Sequence, residues 1–111
     1  MTGITTHVLD TSRGHPAAGV PVVLEHAVDS DWLPVGRGTT DADGRANDLL
    51  SAAPQDGRYR LTFDTGAYFQ ALGEAGFYPE VSVTFAVVGG QEHYHVPLLL
   101  SPFGYSTYRG S

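Results

Sequence analysis

Apolar and polar residues alternate with a period of two along most of the chain, in short runs that Gly and Pro interrupt about every ten residues. A period of two marks strands with one buried face, and that spacing of breaks is typical of antiparallel sandwiches and barrels. The first run, 4–9, ends at Asp10 and the turn-rich Ser12-Arg13-Gly14-His15-Pro16. The next, 20–26, leads through Asp29-Ser30-Asp31 into 32–40 and predicts a hairpin. Asp41-Ala42-Asp43-Gly44 is a tight-turn signature, because Asp side chains bond local amides and Gly accepts a left-handed conformation, so Arg45 is presented at a turn edge. Residues 58–63 alternate as a strand, after which Asp64 or Thr65 caps a short helix with Tyr68, Phe69 and Leu72 on one side, ending near Gly73. Residues 81–88 turn at Gly89-Gly90 into 92–100, a second expected hairpin, and 105–111 form an aromatic, hydroxyl-rich closing strand. The expectation is an all-β fold with one helix, in a single domain spanning 1–111.

Composition narrows the chemistry. No Cys is present, which removes disulfides, thiolate nucleophiles and sulfur-bound metal sites. The 6 basic residues are all Arg, so Schiff-base catalysis is excluded, and against 12 acidic residues they give a net charge of −6, which argues against a phosphate-backbone partner. No apolar run reaches the ~18 residues of a membrane span. The opening Met1-Thr2-Gly3-Ile4-Thr5 lacks the basic and apolar segments of an export signal, so a cytoplasmic protein is expected. Catalysis, if present, draws on His, Arg, Asp, Glu, Ser, Thr and Tyr.

Within His93-Tyr94-His95 the alternation places both imidazoles on one strand face and Tyr94, Val96 and Leu98 on the other. These are surface histidines, catalytic groups, or two ligands of a zinc site completed by His7. His7 shares a face with Thr5 and Leu9, opposite Val8, where a lone strand His is more often structural than catalytic. Arg45, taken alone, reads as a solvated charge.

Three stretches carry a resemblance that covers nearly the whole chain. They are Thr6-His7-Val8-Leu9-Asp10 with Arg13-Gly14-His15-Pro16-Ala17, then His93-Tyr94-His95-Val96-Pro97-Leu98-Leu99-Leu100-Ser101-Pro102, and finally Tyr105-Ser106-Thr107-Tyr108-Arg109-Gly110-Ser111. Together they resemble the 5-hydroxyisourate hydrolase family, the transthyretin-like proteins of purine catabolism, with the terminal Tyr-Arg-Gly-Ser as the most specific element. The resemblance implies a two-sheet antiparallel transthyretin-like β-sandwich with one short helix, assembled as a homotetramer, a dimer of dimers with sites in a central channel. It implies hydrolysis of 5-hydroxyisourate to 2-oxo-4-hydroxy-4-carboxy-5-ureidoimidazoline in urate degradation, without metal or cofactor. Family roles carry over to His7, Arg45, His95 and Ser111 as catalytic residues, with His7, Arg45 and Tyr108 binding substrate. Transthyretin, a hormone carrier, has Lys, Glu, Thr and Thr where this chain has His7, Arg45, His95 and Tyr108, and Phe103 stands where many relatives have Tyr. A small-ligand carrier and a His-rich zinc-binding sandwich are the alternatives.

On that reading His7 is the base that activates water, since a neutral imidazole takes a proton near neutral pH. Arg45 orients the substrate, stabilises the developing oxyanion and keeps nearby imidazoles neutral. His95 holds a substrate heteroatom or passes a proton to the departing ring nitrogen, Ser111 positions substrate or water, and Tyr108 narrows the pocket floor. Ser111 ends the sequence, so a C-terminal extension, or deletion of 108–111, is expected to cripple turnover.

Overall fold

The structure, a computed structural model, describes residues 3–111; Met1 and Thr2, part of the opening segment read above, lie outside the described residues. The elements run β1 (Gly3–Asp10), β2 (His15–Pro16), β3 (Pro21–Val28), β4 (Asp31–Thr39), β5 (Arg45–Leu50), β6 (Gly57–Phe63), α1 (Thr65–Ala71), β7 (Val81–Val87), β8 (His93–Ser101) and β9 (Gly104–Thr107). They form two sheets. One has the order β2-β1-β8-β9, with β5 also on β1; the other has the order β4-β3-β6-β7. Alternate residues of both sheets point inward, and Ile4, Val8, Leu24, Leu61, Phe63, Leu98 and Leu100 are almost wholly shielded from solvent. That is the two-layer sandwich the family resemblance implied, one of the two architectures that the period-two pattern left open.

The first hairpin forms as expected, with β3 and β4 antiparallel from Pro21↔Thr39 to Val28↔Asp31. The second does not. Residues 81–87 pair with β6, whereas β8 crosses to the other sheet and runs parallel to β1 from Gly3↔His93 to Asp10↔Leu100. Gly89 and Gly90 do turn the chain, both at positive φ. The turn spans the layers because each strand has one apolar face, and the core is filled by opposing those faces across the sandwich rather than placing them side by side. Tyr94 pins the crossover: its hydroxyl donates to the Val88 carbonyl at 3.0 Å and accepts from the Val88 amide at 3.1 Å.

The helix begins where Asp64 accepts the Ala67 amide at 3.0 Å, and it buries Tyr68 and Phe69. Leu72 departs from expectation and is 41 % exposed. The helix stops at Ala71, and Gly73, at φ 70°, swings the chain away before Leu72 can join the buried stripe.

Asp10, at the end of β1, has a side chain with no exposed surface. Its Oδ2 accepts the Tyr68 hydroxyl at 2.7 Å, and its Oδ1 accepts the Ser12 hydroxyl and the amides of Ser12 and Arg13. Burial pushes the carboxyl upward, but those donors together outweigh it and hold its pKa below 3.8, while burial and the same carboxylate push the Tyr68 phenol up. A depressed carboxyl stabilises the fold at pH values above its unfolded pKa, and that contribution disappears as pH falls through the folded value. Asp10→Asn is therefore expected to cost about 2–3 kcal/mol in urea unfolding at pH 7, with the gap to wild type closing in acid. An unchanged midpoint at pH 7 would remove this network as the anchor between α1 and β1.

Candidate active site

Period-two geometry selects the side chains of one outer face. Odd-numbered residues of β1 and β8 point outward there, opposite Val8, Tyr94, Val96 and Leu98. The strand 45–50 was not expected, since Arg45-Ala46-Asn47-Asp48 carries little β signal. It forms because the turn before it is fixed: Asp41 Oδ1 accepts the amides of Asp43 and Arg45, and the Gly44 carbonyl accepts the Val8 amide at 2.7 Å. Gly44 is required for that contact. It has φ 75°, and a Cβ there would stand 2.4 Å from the Val8 carbonyl oxygen. The docked turn makes Arg45 the cross-strand partner of His7.

On the other edge of β1, Thr5 pairs with His95 and His7 with Pro97. Beyond β8, the closing strand ends earlier than expected, at Thr107. Pro97 has no amide to extend the ladder; the Thr107 hydroxyl donates to the Pro97 carbonyl at 2.7 Å, the backbone ladder lapses at 108–109, and it resumes in the same register where Gly110 donates its amide to the His95 carbonyl at 2.8 Å. Tyr108 and Arg109 occupy that gap in the ladder. Gly110 packs so closely that a Cβ would lie 2.6 Å from His95 Cδ2 and 3.2 Å from Pro97 Cγ. Gly110→Ala is thus expected to tilt the His95 ring and lower kcat at least ~10-fold in a folded protein; wild-type turnover would show that the ring position does not matter.

These rows enclose a cleft of about 430 Å³ lined by Thr5, His7, Arg45, Asn47, His93, His95, Pro97, Tyr108, Gly110 and Ser111. All five residues singled out from the sequence line it. Thr5, Asn47, Pro97 and Gly110 were missed, although all four carry a readable signal, each lying two positions from a residue already chosen. His93 also faces the cleft. The His93 and His95 rings are nearly parallel, with centroids 6.3 Å apart, and the Thr5 hydroxyl oxygen lies 2.8 Å from His95 Nδ1 and 3.0 Å from His93 Nε2.

Burial holds His95 below the ordinary imidazole pKa of 6.5, and the facing Arg45, His93 and His7 push the same way, against a smaller opposing contribution from the Thr5 backbone. Among the described residues no three His, Asp or Glu side chains gather closely enough to hold a metal ion, so the zinc alternative lacks its ligand set. A cation and three imidazoles also make this a polar cleft, unlike the open apolar channel a carrier needs. Among the described residues no helix is long and apolar enough to cross a membrane.

Residues 4–110 match the model of the HIUase/Transthyretin family. The chain belongs to that family. Within the HIUase/Transthyretin family it is 50% identical over 111 residues to a 5-hydroxyisourate hydrolase of Salmonella typhimurium, covering 97% of this chain and 80% of that one. Among solved structures, the 5-hydroxyisourate hydrolase of Klebsiella pneumoniae is 40% identical with a TM-score of 0.84, covering 97% of this chain and 98% of that one. Sea bream transthyretin in complex with thyroxine is 33% identical with a TM-score of 0.87, covering 96% and 93%. A hydrolase and a transthyretin therefore share this fold, so the fold alone does not decide between their functions.

Proposed function

We propose that the protein hydrolyses 5-hydroxyisourate to 2-oxo-4-hydroxy-4-carboxy-5-ureidoimidazoline, a step of urate degradation. The observation that carries this reading is the placement of His7, Arg45 and His95 on three adjacent strands around one polar cleft, in a chain half identical to a hydrolase of that substrate. His7 takes a proton from water as its oxygen adds to the ring amide carbonyl. Arg45 holds the oxyanion that develops and, beside burial, keeps His95 neutral. The carbon–nitrogen bond then breaks, the departing ring nitrogen receives a proton from His95, and the carbonyl carbon remains in the opened product as a carboxyl group that loses its proton to solvent. Tyr108 and Ser111 border the cleft and position the planar ring. None of these steps calls on a metal or cofactor.

The same proposal takes 1–111 as one hydrolase domain of a cytoplasmic homotetramer, a dimer of dimers. The support is physical. The cleft lies on an outer sheet face, with Tyr108 56 % exposed at its margin, so a facing subunit is needed to exclude water from the reacting groups. Light scattering that gave a monomer with full activity would remove the tetramer from the account. Chemistry is tested by running the reaction in ¹⁸O-labelled water after exhaustive chelation. One label in the new carboxylate, at an unchanged rate, is expected; loss of activity restored by zinc would return His7, His93 and His95 to a metal site.

A further inference from the structure

A single hydroxyl, that of Thr5, stands between two imidazoles that both face the cleft. Thr5 is 2 % exposed, and the described residues offer its hydroxyl proton no other acceptor. A hydroxyl has one proton to donate and lone pairs to accept with. With both rings neutral, two arrangements use both contacts. In one, His95 Nδ1–H donates to Thr5, which donates to His93 Nε2. In the other, His93 Nε2–H donates to Thr5, which donates to His95 Nδ1. The hydroxyl thereby makes the two tautomers complementary, and the register that pairs Thr5 with His95 and Gly3 with His93 builds this contact into the sheet.

We propose that His93 and Thr5 are positioning residues forming a proton relay that lets a neutral His95 act as the acid toward the departing nitrogen. The proposal rests on the hydrolase reading above. A neutral imidazole is a very weak acid unless its second nitrogen is reprotonated as the first gives up its proton. The relay supplies that proton. As the His95 Nε2–H bond breaks and a bond to the ring nitrogen forms, the Thr5 hydroxyl proton passes to His95 Nδ1 and the His93 Nε2 proton passes to the Thr5 oxygen. His93 Nδ1, to which no described group is hydrogen-bonded, takes a proton from solvent. Between turnovers His95 Nε2 takes a proton from solvent, the relay shifts back through Thr5 and His93 Nδ1 releases its proton. His7 and the new carboxyl group each return a proton drawn from the attacking water, so the cycle closes with one net proton released alongside the carboxylate. His95 never becomes an imidazolium, which suits a ring crowded by Arg45, His7 and His93.

The relay is tested with Thr5→Val, which removes the hydroxyl at nearly constant shape, Thr5→Ser, which restores it, and His93→Gln, which keeps a hydrogen-bonding group but cannot carry the proton. Thr5→Val and His93→Gln are expected to lower kcat at least ~10-fold with KM within about 3-fold, and Thr5→Ser to recover most of the rate. Imidazole ¹⁵N shifts of the substrate-free protein read the hydrogen-bond chain independently of turnover. At a pH where both rings are neutral, His95 Nδ1 and His93 Nε2 should be of opposite type, one protonated and one bare, and Thr5→Val should abolish that correlation. Wild-type kcat in Thr5→Val, a loss that Thr5→Ser does not repair, or two ring nitrogens of the same type would each overturn the relay. If the wild-type protein left 5-hydroxyisourate untouched while the ¹⁵N shifts were complementary, the substrate reading would fail and the hydrogen-bond chain would stand.

Discussion

Arg45→Glu is expected to lower kcat/KM for 5-hydroxyisourate by ~10²-fold or more while leaving the fold intact, the size of effect that follows loss of a charge contact to the transition state. The fold should survive because the turn uses the Arg45 backbone, not its side chain: the amide donates to Asp41 Oδ1 and the carbonyl accepts the Asp41 amide. The side chain is exposed, and no carboxylate pairs with it among the described residues. The substitution also reverses an influence on His95. Arg45 is second only to burial in lowering that imidazole's pKa, so a carboxylate in its place should raise it. In NMR titrations His95 of the wild type is expected to protonate below 6.5, and His95 of the variant at higher pH. Because the neutral ring is favoured in the fold, this residue contributes least to stability in acid, as pH falls from its unfolded toward its folded pKa. A folded Arg45→Glu protein with near wild-type turnover would take Arg45 out of the mechanism.

The second large effect is expected from His7→Asn. Asn is similar in size and polar, but it accepts no proton at neutral pH, and loss of a positioned general base typically costs ~10²–10⁴-fold. His7 sits between Arg45 on one neighbouring strand and Pro97 on the other, so the variant should keep its strand pairing and lose rate rather than structure. Steady-state kinetics with a parallel thermal melt distinguish the two. If His7→Asn retained the rate and His95→Asn lost it, the base would be His95 and the relay would have to run in the opposite sense.

Most of the strands, the helix and the first hairpin were legible because each depends on local signals: period-two alternation, a capping Asp64 and a turn at 29–31. The crossover of β8 was not. A Gly-Gly turn reads the same whether the next strand pairs beside the last or across the sandwich, and only the shared core decides between them. Strand β5 was hidden for a related reason, since Arg45-Ala46-Asn47-Asp48 becomes a strand only when the 41–44 turn docks on β1. The candidate site was legible at His7, Arg45, His95, Tyr108 and Ser111 through the family resemblance, not through spacing. Thr5 escaped notice because a Thr in a strand is ordinary; what makes it chemical is a parallel register across 90 positions of sequence.

The most direct test of the account is catalysis itself, followed as the ultraviolet decay of 5-hydroxyisourate generated enzymatically in the cuvette. With the protein present at a small fraction of the substrate concentration, the account predicts decay accelerated through many turnovers, undiminished by chelation and abolished in an Arg45→Glu, His7→Asn double variant that remains folded. Decay at the uncatalysed rate with the wild-type protein, or equal acceleration by the double variant, would contradict it.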